Sequence, residues 1–371
     1  MSNPFTDPAA KQKDTEGAYT EFERALANRN HGGLLEMLAQ DVTPTGAHYL
    51  LTHFDVPMLD PAAHVLRLHD GFDRPVSLTM ADIRAMPQVS MPVTLECGGN
   101  GRAKMRDRNR SMPWLHEAFG TSVWTGTPLA DVIARARPRA GVEDLVFTGA
   151  DFGFDDGHPH YFARSLTPDQ LAGLDALLVH EMNGQPLLPQ HGAPLRIVVP
   201  GWFGMASVKW LTDVRAIPHR FGGHQQVQSY MLRQHADDPG VPLTELAVKS
   251  LMVPPGVPDW LSRARLVRPG RVRIVGRAWS GGGRRIRRVD FAAGDDWQQA
   301  TLHGRAGDYA WTGWSVDWQA SPGDHVLRCR ATDADGNVQP PKAPWNLSGF
   351  AINSCHEVAV TVSDSFPALP D

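Results

Sequence analysis

The chain has 371 residues, of which 42% are hydrophobic and 20% are charged, and its formal net charge is −4 at pH 7. This length and apolar content predict a folded protein with a full core and two domains, and they exclude a disordered chain. A small negative charge provides no overall attraction for nucleic acid. The longest apolar runs, such as Leu195 to Val199, are too short for a membrane crossing, so we expect neither nucleic acid nor membrane as a partner.

The N-terminal segment MSNPFTDPAAKQKDTEGAYTEFERAL contains neither an apolar h-region nor twin arginines. No common export signal is visible, so we expect a cytoplasmic protein. The three cysteines, Cys97, Cys329 and Cys355, are too few and too scattered for a disulfide framework. They form no CxxC pair either, which disfavours structural zinc and covalent haem.

Residues 1–40 are predicted to form an N-terminal arm with helical stretches, because GLLEMLAQ has helix-forming content and the Pro and Gly of VTPTG end it. From there the chain alternates between short apolar runs (VTLECGG, DLVFTGAD, LLVHEMNG, LRIVVPG) and helical segments such as PLADVIARA and TPDQLAGL. This alternation predicts an α+β fold, with a mixed α/β domain at residues 41–236.

A linker rich in proline, glycine and charge, around RQHADDPGVPLTEL, ends this pattern. Six segments after it are typical of short strands with glycine-rich or Asp-Gly turns: LAVKSLMVPP, RVRIVGRAWSGGG, IRRVDFAAGDD, YAWTGWSVDW, HVLRCRATDADGN and EVAVTVSD. Strands at this spacing predict an all-β immunoglobulin-like sandwich at residues 246–371. Ten arginines lie between Arg263 and Arg288 with only Trp279 among them, and we interpret this run as a solvated strand face.

The segment VTLECGGNGR places Cys97 between an apolar strand and a Gly-Gly loop. Such a loop leaves backbone amides free to face a ligand, and the nearby cation Arg102 favours the thiolate that binds a soft metal. The alternative is a buried cysteine that packs as a small hydrophobe, which is the commoner fate of an unpaired cysteine.

This segment resembles the sulfite oxidase family, whose pattern TL-x-C-x-G-N-x-R is seen here as TLECGGNGR. EMNGQPLLPQHGAPLRIVVPGWFGMASVKWL is similar to the family's cofactor-binding core, and AWSGGGRRIRRVDF and ADGNVQPPKAPWNLSG are similar to its second domain. The resemblance implies a catalytic domain that binds the molybdenum cofactor (Mo-molybdopterin), followed by an Ig-like dimerisation domain. It therefore also implies an oxidoreductase that forms a homodimer.

In that family one protein cysteine binds the metal, and the resemblance assigns this role to Cys97. The family's residues for the cofactor's phosphate and pterin match five positions here: His53, Asp151, His191, Arg196 and Lys209. Cations and hydrogen-bond donors suit such a polar, anionic group. Tyr230 aligns with the active-site tyrosine, and Arg102 and Trp114 align with two further pocket residues. Each residue alone is open to an ordinary explanation, such as a satisfied core histidine or a solvated cation.

The chain departs from the family where the sulfite pocket has two further arginines, because Leu51 in HYLLTHFDVP and Ser348 in WNLSG occupy those positions. A charged hydrogen bond contributes roughly 1.5 to 3 kcal/mol, so this loss predicts weaker anion binding. Four cations near the two motifs could enter the pocket instead: His48, Arg106, Arg108 and Arg110. The basic insertion RAKMRDRNRSMPWL could rebuild a positive pocket or form a solvated loop, and we favour the loop.

The DDGHPH segment brings His158 and His160 close to Asp155 and Asp156 in the sequence. These residue types are common in metal sites, but no further ligand cluster accompanies them. We therefore expect a polar loop near the mouth of the cofactor site.

The resemblance implies oxygen-atom transfer on a small-molecule substrate, with electrons passed to an external acceptor because no HPGG or CxxCH haem motif is present. One hypothesis is sulfite oxidation with other cations in place of the missing arginines. A second, favoured by Leu51 and Ser348, is action on another substrate such as a sulfoxide, or catalysis in the reductive direction. A third is a non-catalytic relic, against which the retained set of cofactor residues argues.

Overall fold

An arm of short helices precedes the first sheet in the computed structural model, which describes residues 21–106, 111–155 and 157–365. The arm contains α1 (Glu21–Ala27) and 3-10 helices at Leu35–Ala39 and Thr45–Ala47. The segment GLLEMLAQ is therefore helical, as predicted, but as a short 3-10 helix. This helix packs on the second domain, where Arg277 Nε donates a hydrogen bond to the carbonyl oxygen of Leu38 over 2.9 Å.

The first domain combines two sheets with three short helices. Its strands are β1 (Val65–His69), β2 (Val76–Thr79), β3 (Val89–Glu96), β4 (Phe119–Pro128), β5 (Asp144–Asp155), β6 (His158–Leu166), β7 (Leu177–Met182), β8 (Gln185–Pro186), β9 (Arg196–Val198) and β10 (Leu211–Ile217). Its helices are α2 (Met80–Arg84), α3 (Leu129–Ala136) and α4 (Pro168–Ala172). One sheet has the order β2-β1-β10-β5-β6, and the other has the order β3-β4-β7-β8 with β9 paired to β7.

The helices follow from simple local patterns. In α3 the buried residues Leu129, Val132, Ile133 and Ala136 recur at the spacing of one helical face. The other two helices begin with capping boxes, at Thr79 in α2 and at Thr167 in α4.

The strand that carries the candidate metal ligand is covered on both faces. The last four residues of β3, from Val93 to Glu96, are all buried. VTLE alternates apolar and polar residues, a pattern that predicts one exposed face. The polar face is buried as well, because Thr94 shares a hydrogen bond with Thr121 and Glu96 accepts hydrogen bonds from Lys249 and Trp279. Cys97 therefore leaves the strand inside the protein.

A π-helix at Gln225–Ser229 and the paired strands β11 (Met231–Leu232) and β12 (Val241–Pro242) lie between the two domains in the chain. Loops within the domains contain 3-10 helices, at Arg102–Lys104, Pro189–His191 and Gly204–Ala206 in the first domain and at Gly281–Gly283 in the second. None of the described helices is long and apolar enough to cross a membrane.

The second domain is a β-sandwich. Its strands are β13 (Lys249–Met252), β14 (Val257–Pro258), β15 (Arg265–Val267), β16 (Gly270–Trp279), β17 (Ile286–Ala293), β18 (Trp297–Gln299), β19 (Thr301–Arg305), β20 (Thr312–Ala320), β21 (Gly323–Asp333) and β22 (His356–Val362). They form a sheet of order β13-β16-β20-β19 against one of order β14-β15-β22-β21-β17-β18. All six predicted strands are present, and the predicted α+β fold with a C-terminal sandwich is confirmed.

The arginine-rich run is only partly the solvated face that its composition predicts. Most of its members are exposed, but Arg265 and Arg277 are buried. Both are buried because the arm covers them: Arg265 pairs with Glu36 over 3.4 Å, and Arg277 donates to backbone carbonyls of the arm. The run therefore also fastens the arm to the sandwich.

Candidate active site

A cavity opens at the end of β3 and encloses about 660 Å³ of space, part of it open to solvent. Seven of the nine candidate residues line it: His53, Cys97, Asp151, His191, Arg196, Lys209 and Tyr230. They come from six separate segments of the first domain and from the residue after the π-helix. The fold thus gathers side chains that the sequence scatters over 178 positions, from His53 to Tyr230.

Cys97 lies between this cavity and an apolar cluster. Its side chain is 7% exposed and packs with Met112, Trp114 and Ala118. Burial raises the pKa of the thiol, whereas the backbone amide of Gly99, the Arg102 guanidinium and the Trp114 indole act to lower it. The residue is therefore packed as a small hydrophobe on one side and open to a ligand on the other, with donors placed to stabilise a thiolate.

Two cations, Lys209 and Arg196, also line the cavity. Lys209 Nζ donates to the carbonyl oxygens of Leu51 and Gln190 over 2.9 and 3.1 Å. Arg196 donates to the carbonyl oxygen of His191 over 2.9 Å. Gly192, at φ +103°, permits this approach, because a Cβ atom there would lie 2.9 Å from Lys209 Cβ. Burial lowers the pKa of Lys209 to about 7 and that of Arg196 to about 10.

The remaining polar residues of the wall are uncharged or weakly charged at neutral pH. Burial lowers the pKa of His48 and of His53 to about 4, and that of His191 to about 3. Burial raises the pKa of Asp151 to about 7, against the opposing effect of Lys209. Asp151 Oδ1 is buried without a hydrogen-bond partner. An orphaned buried polar atom is costly, so this one indicates a polar ligand in the cavity.

Tyr230 presents its hydroxyl group beside this polar wall. The hydroxyl oxygen and His53 Nε2 share a hydrogen bond of 2.5 Å. The ring stacks on Phe350 with centroids 5.3 Å apart, and Phe162 packs on His53 at 4.8 Å. Burial raises the pKa of Tyr230 above its usual range, so the hydroxyl is protonated and can donate to a ligand.

Arg102 and Trp114 lie behind Cys97 and do not line the cavity. Arg102 Nε donates to the carbonyl oxygen of Ser348 over 2.8 Å, and its NH1 donates to that of Met112 over 3.2 Å. Leu51 packs against the apolar cluster around Cys97. Of the two positions that lack arginine, Leu51 therefore lies beside the candidate metal ligand, and Ser348 is joined to that region through Arg102.

The other candidate cations add little positive charge to the cavity in the part of the chain that the structure describes. His48 does line the cavity, but its lowered pKa leaves it neutral. Arg106 is exposed, in agreement with a solvated loop. Arg108 and Arg110 lie outside the described residues.

The DDGHPH segment forms a polar cluster with the π-helix. Gln225 Nε2 donates to Asp155 Oδ2 over 3.0 Å and contacts His160 Nε2 at 3.1 Å, while His224 Nε2 lies 3.4 Å from Asp155 Oδ2. No group of three or more His, Cys, Asp or Glu side chains within residues 21–106, 111–155 and 157–365 is arranged to hold a metal ion. Asp156 is outside these ranges.

Several cavity residues escaped the sequence analysis, among them two aromatic ones. Tyr49 lines the cavity next to His48, and Phe162 lines it from β6. Tyr49 carried a weak signal, because it stands in the same HYLLTHFDVP motif as Leu51. For Phe162, the sequence offered no signal except the strand alternation that points its side chain inward.

Comparison with known proteins identifies the architecture. Residues 53–225 match the oxidoreductase molybdopterin binding domain, and residues 241–363 match the Mo-co oxidoreductase dimerisation domain. The chain is 34% identical over 356 residues to mitochondrial sulfite oxidase of Homo sapiens. This alignment covers 88% of this chain and 63% of the human protein. It is 31% identical over 362 residues to sulfite oxidase of Arabidopsis thaliana, covering 89% of this chain and 90% of the plant protein.

A solved structure shares the fold. Sulfane dehydrogenase SoxCD from Paracoccus pantotrophus matches with a TM-score of 0.72 and 24% identity, over 87% of this chain and 84% of that chain. This likeness supports the two-domain architecture described above.

Fold and site together define a molybdopterin-binding oxidoreductase with a dimerisation-type second domain. The chain belongs to the sulfite oxidase family, and its cofactor is the molybdenum cofactor. The cavity fits this group on its own evidence, since two cations, neutral histidines and the orphaned Asp151 Oδ1 suit a terminal phosphate and a polar pterin edge.

Proposed function

We propose that the protein catalyses oxygen-atom transfer to a small sulfur oxyanion, with sulfite as the first candidate, and passes two electrons to an external acceptor. The observation that carries this proposal is that one cavity brings Cys97 and Tyr230 together with the two cations Arg196 and Lys209. Sulfite oxidase is also the name of the human and Arabidopsis relatives. The chain spans 63% of the human protein, so the human activity supports the proposal without deciding it.

Cys97 is proposed as the single protein ligand of the metal. When bound, the molybdenum cofactor supplies the two-electron redox centre at which an oxygen atom is exchanged. The Gly99 amide, Arg102 and Trp114 all favour the thiolate form of Cys97, which is the form that binds a metal.

Five residues are proposed to hold the organic part of the cofactor: His53, Asp151, His191, Arg196 and Lys209. Arg196 and Lys209 provide the positive charge that a phosphate needs, since the neutral histidines provide only hydrogen bonds. An anion next to Lys209 also offsets the cost of burying its ammonium group.

On the substrate side, Tyr230 is proposed to donate a hydrogen bond from its hydroxyl group to a substrate oxygen. His53 keeps that hydroxyl in place through their shared hydrogen bond. Arg102, behind Cys97, adds positive potential. Over one turnover, sulfite gains one oxygen atom from water and loses two electrons, and two protons are released.

Metal analysis and a turnover assay test this proposal. Protein purified from a host that makes the cofactor is expected to contain close to one molybdenum per chain and to oxidise sulfite with ferricyanide as acceptor. A purified protein without molybdenum would instead support the relic. A molybdenum-loaded protein that leaves sulfite unchanged would remove sulfite as the substrate.

The second candidate is a substrate without negative charge, such as a sulfoxide that is reduced. Leu51 and Ser348 favour it, because neither offers a cation where a sulfite pocket has arginine. The same loaded protein assayed with dimethyl sulfoxide and a reduced viologen donor distinguishes the two. Faster turnover of the sulfoxide than of sulfite would decide for this second candidate.

A homodimer is proposed from the match of residues 241–363 to a dimerisation domain. Light scattering at micromolar concentration is expected to give twice the chain mass of 40.7 kDa. A mass equal to one chain would contradict it.

A further inference from the structure

Two buried arginines flank an aromatic pair beside the cavity. Tyr230 and Phe350 stack with centroids 5.3 Å apart and an interplanar angle of 27°. The guanidinium carbon of Arg102 lies 5.0 Å from the Phe350 centroid, and that of Arg164 lies 5.4 Å from the Tyr230 centroid. A guanidinium within about 6 Å of a ring centroid is attracted by the π-electrons. The four side chains therefore form one connected column, which we call the Arg–aromatic column.

Arg164 is the charged member of this column that the sequence analysis did not single out. It stands on β6, two residues after Phe162, so the two side chains leave the strand on the same face. Phe162 lines the cavity, and Arg164 lies under Tyr230, which lines it too. The face of β6 that carries Arg164 is thus the face that closes the candidate active site.

The charge of Arg164 is buried and not neutralised locally. Its residue is 4% exposed, its NH1 donates to the carbonyl oxygen of Gln225, and its Nε has no partner. Among the described residues, Tyr230 is the one ionisable neighbour that affects it. Burial lowers its pKa to about 10, which leaves it cationic at neutral pH. Burying such a cation without a carboxylate is unfavourable for folding, so stability alone does not explain it.

We propose that Arg164 is a positioning residue of the catalytic site: it fixes the ring of Tyr230 and supplies positive potential that holds an anionic substrate beside the tyrosine hydroxyl. This inference rests on the proposed function. Its charge acts from β6, whereas Leu51 and Ser348, the two positions that lack arginine, both lie outside the strands. The effect reaches the cavity because charges interact more strongly in a buried site than in water.

The test uses three variants of the molybdenum-loaded protein: Arg164→Met, Arg164→Lys and the control Arg330→Met. Arg330 is a matched control because its guanidinium lies 4.3 Å from the Trp297 centroid in the sandwich, far from the column. Sulfite KM and kcat are measured, together with the dissociation constant of sulfate by calorimetry, which does not depend on turnover. Molybdenum content is measured in every sample.

The Met variant is expected to raise the sulfite KM and the sulfate dissociation constant by about tenfold or more, the effect of one charge lost near a bound anion. The Lys variant is expected to recover most of the affinity, and the Arg330 variant to match the wild type. If the Met variant does not fold, Arg164→Gln, which keeps donors without the charge, has to show the same loss.

Unchanged sulfate affinity in the Met or Gln variant, with wild-type molybdenum content, overturns the inference and leaves the proposed function standing. A Lys variant as weak as the Met variant overturns it as well, because the charge would then not matter. Wild-type protein that binds molybdenum but neither binds sulfate nor oxidises sulfite refutes the proposed function and this inference together.

Discussion

Trp279 of the sandwich donates a hydrogen bond from its Nε1 to Glu96 Oε2 over 2.8 Å, and Glu96 is the residue directly before Cys97. The other carboxylate oxygen of Glu96 accepts from Asn100 over 3.0 Å and from the ammonium group of Lys249. Glu96 is 1% exposed and Lys249 is 4% exposed. The second domain therefore helps to hold the strand end that presents the candidate metal ligand.

We expect Lys249→Met to lower the free energy of unfolding by about 3–5 kcal/mol, because it leaves the Glu96 carboxylate buried without its cation. Urea unfolding followed by tryptophan fluorescence measures this. The double variant Glu96→Gln/Lys249→Met is expected to recover part of the loss, since no buried charge remains. The control Arg271→Met breaks an exposed pair with Asp317, whose side chains are 75% and 37% exposed. It is expected to cost under about 1 kcal/mol, and a Lys249→Met loss this small would contradict the prediction.

Cys97→Ser is expected to abolish turnover and to change the absorption spectrum of the metal centre, while far-UV circular dichroism stays that of the wild type. The reason is that a hydroxyl group is a much poorer ligand for a soft metal than a thiolate. Cys355→Ser provides the control, since Cys355 is buried in the sandwich and packs near Gln339. Full activity in the Cys97 variant would contradict the assignment of the ligand.

Leu51→Arg is expected to lower the sulfite KM by about tenfold or more, because a charged hydrogen bond to an anion contributes roughly 1.5 to 3 kcal/mol. The backbone carbonyl of Leu51 already accepts from Lys209, so the change adds a side chain without removing that contact. Leu51→Met, of similar size and no charge, is the control. Steady-state kinetics at constant ionic strength decide the matter, and equal KM values for the two variants would speak against an anion near this position.

His356 makes the stability depend on pH in the acid range. Burial lowers its pKa to about 3, and Met252 N–H donates to its Nδ1 over 3.1 Å. The folded state therefore keeps the ring neutral, while the unfolded state binds a proton near the usual pKa of about 6.5. Its contribution to stability is complete above pH 6.5 and is lost as the pH falls towards 3.

We expect His356→Gln, which retains an acceptor for Met252, to lose stability less steeply on acidification than the wild type. The difference in slope is up to about 1.4 kcal/mol per pH unit, the value for one proton. Chemical unfolding at several pH values between 6.5 and 4 provides the comparison. Identical slopes would show that His356 is not the group responsible.

The sequence was sufficient for the elements and for the contiguous part of the site. Strand alternation and turn residues predicted six of the ten strands described in the sandwich, because these signals act between near neighbours. The segment around Cys97 and Arg102 was recognisable for the same reason, since its residues lie within a few positions of one another. The absence of arginine at Leu51 and Ser348 is also visible in the sequence, because it resembles the family pattern on both sides of these positions.

Outside the cofactor site that the family resemblance implied, only the tertiary structure decided which distant side chains meet. The pairing of Glu96 with Lys249 and Trp279, the place of Arg164 under Tyr230 and the burial of Arg265 and Arg277 under the arm join residues from separate elements. Nothing in local periodicity distinguishes a buried arginine from an exposed one on the same strand. That distinction depends on what covers each strand face, which is a property of the whole folded chain.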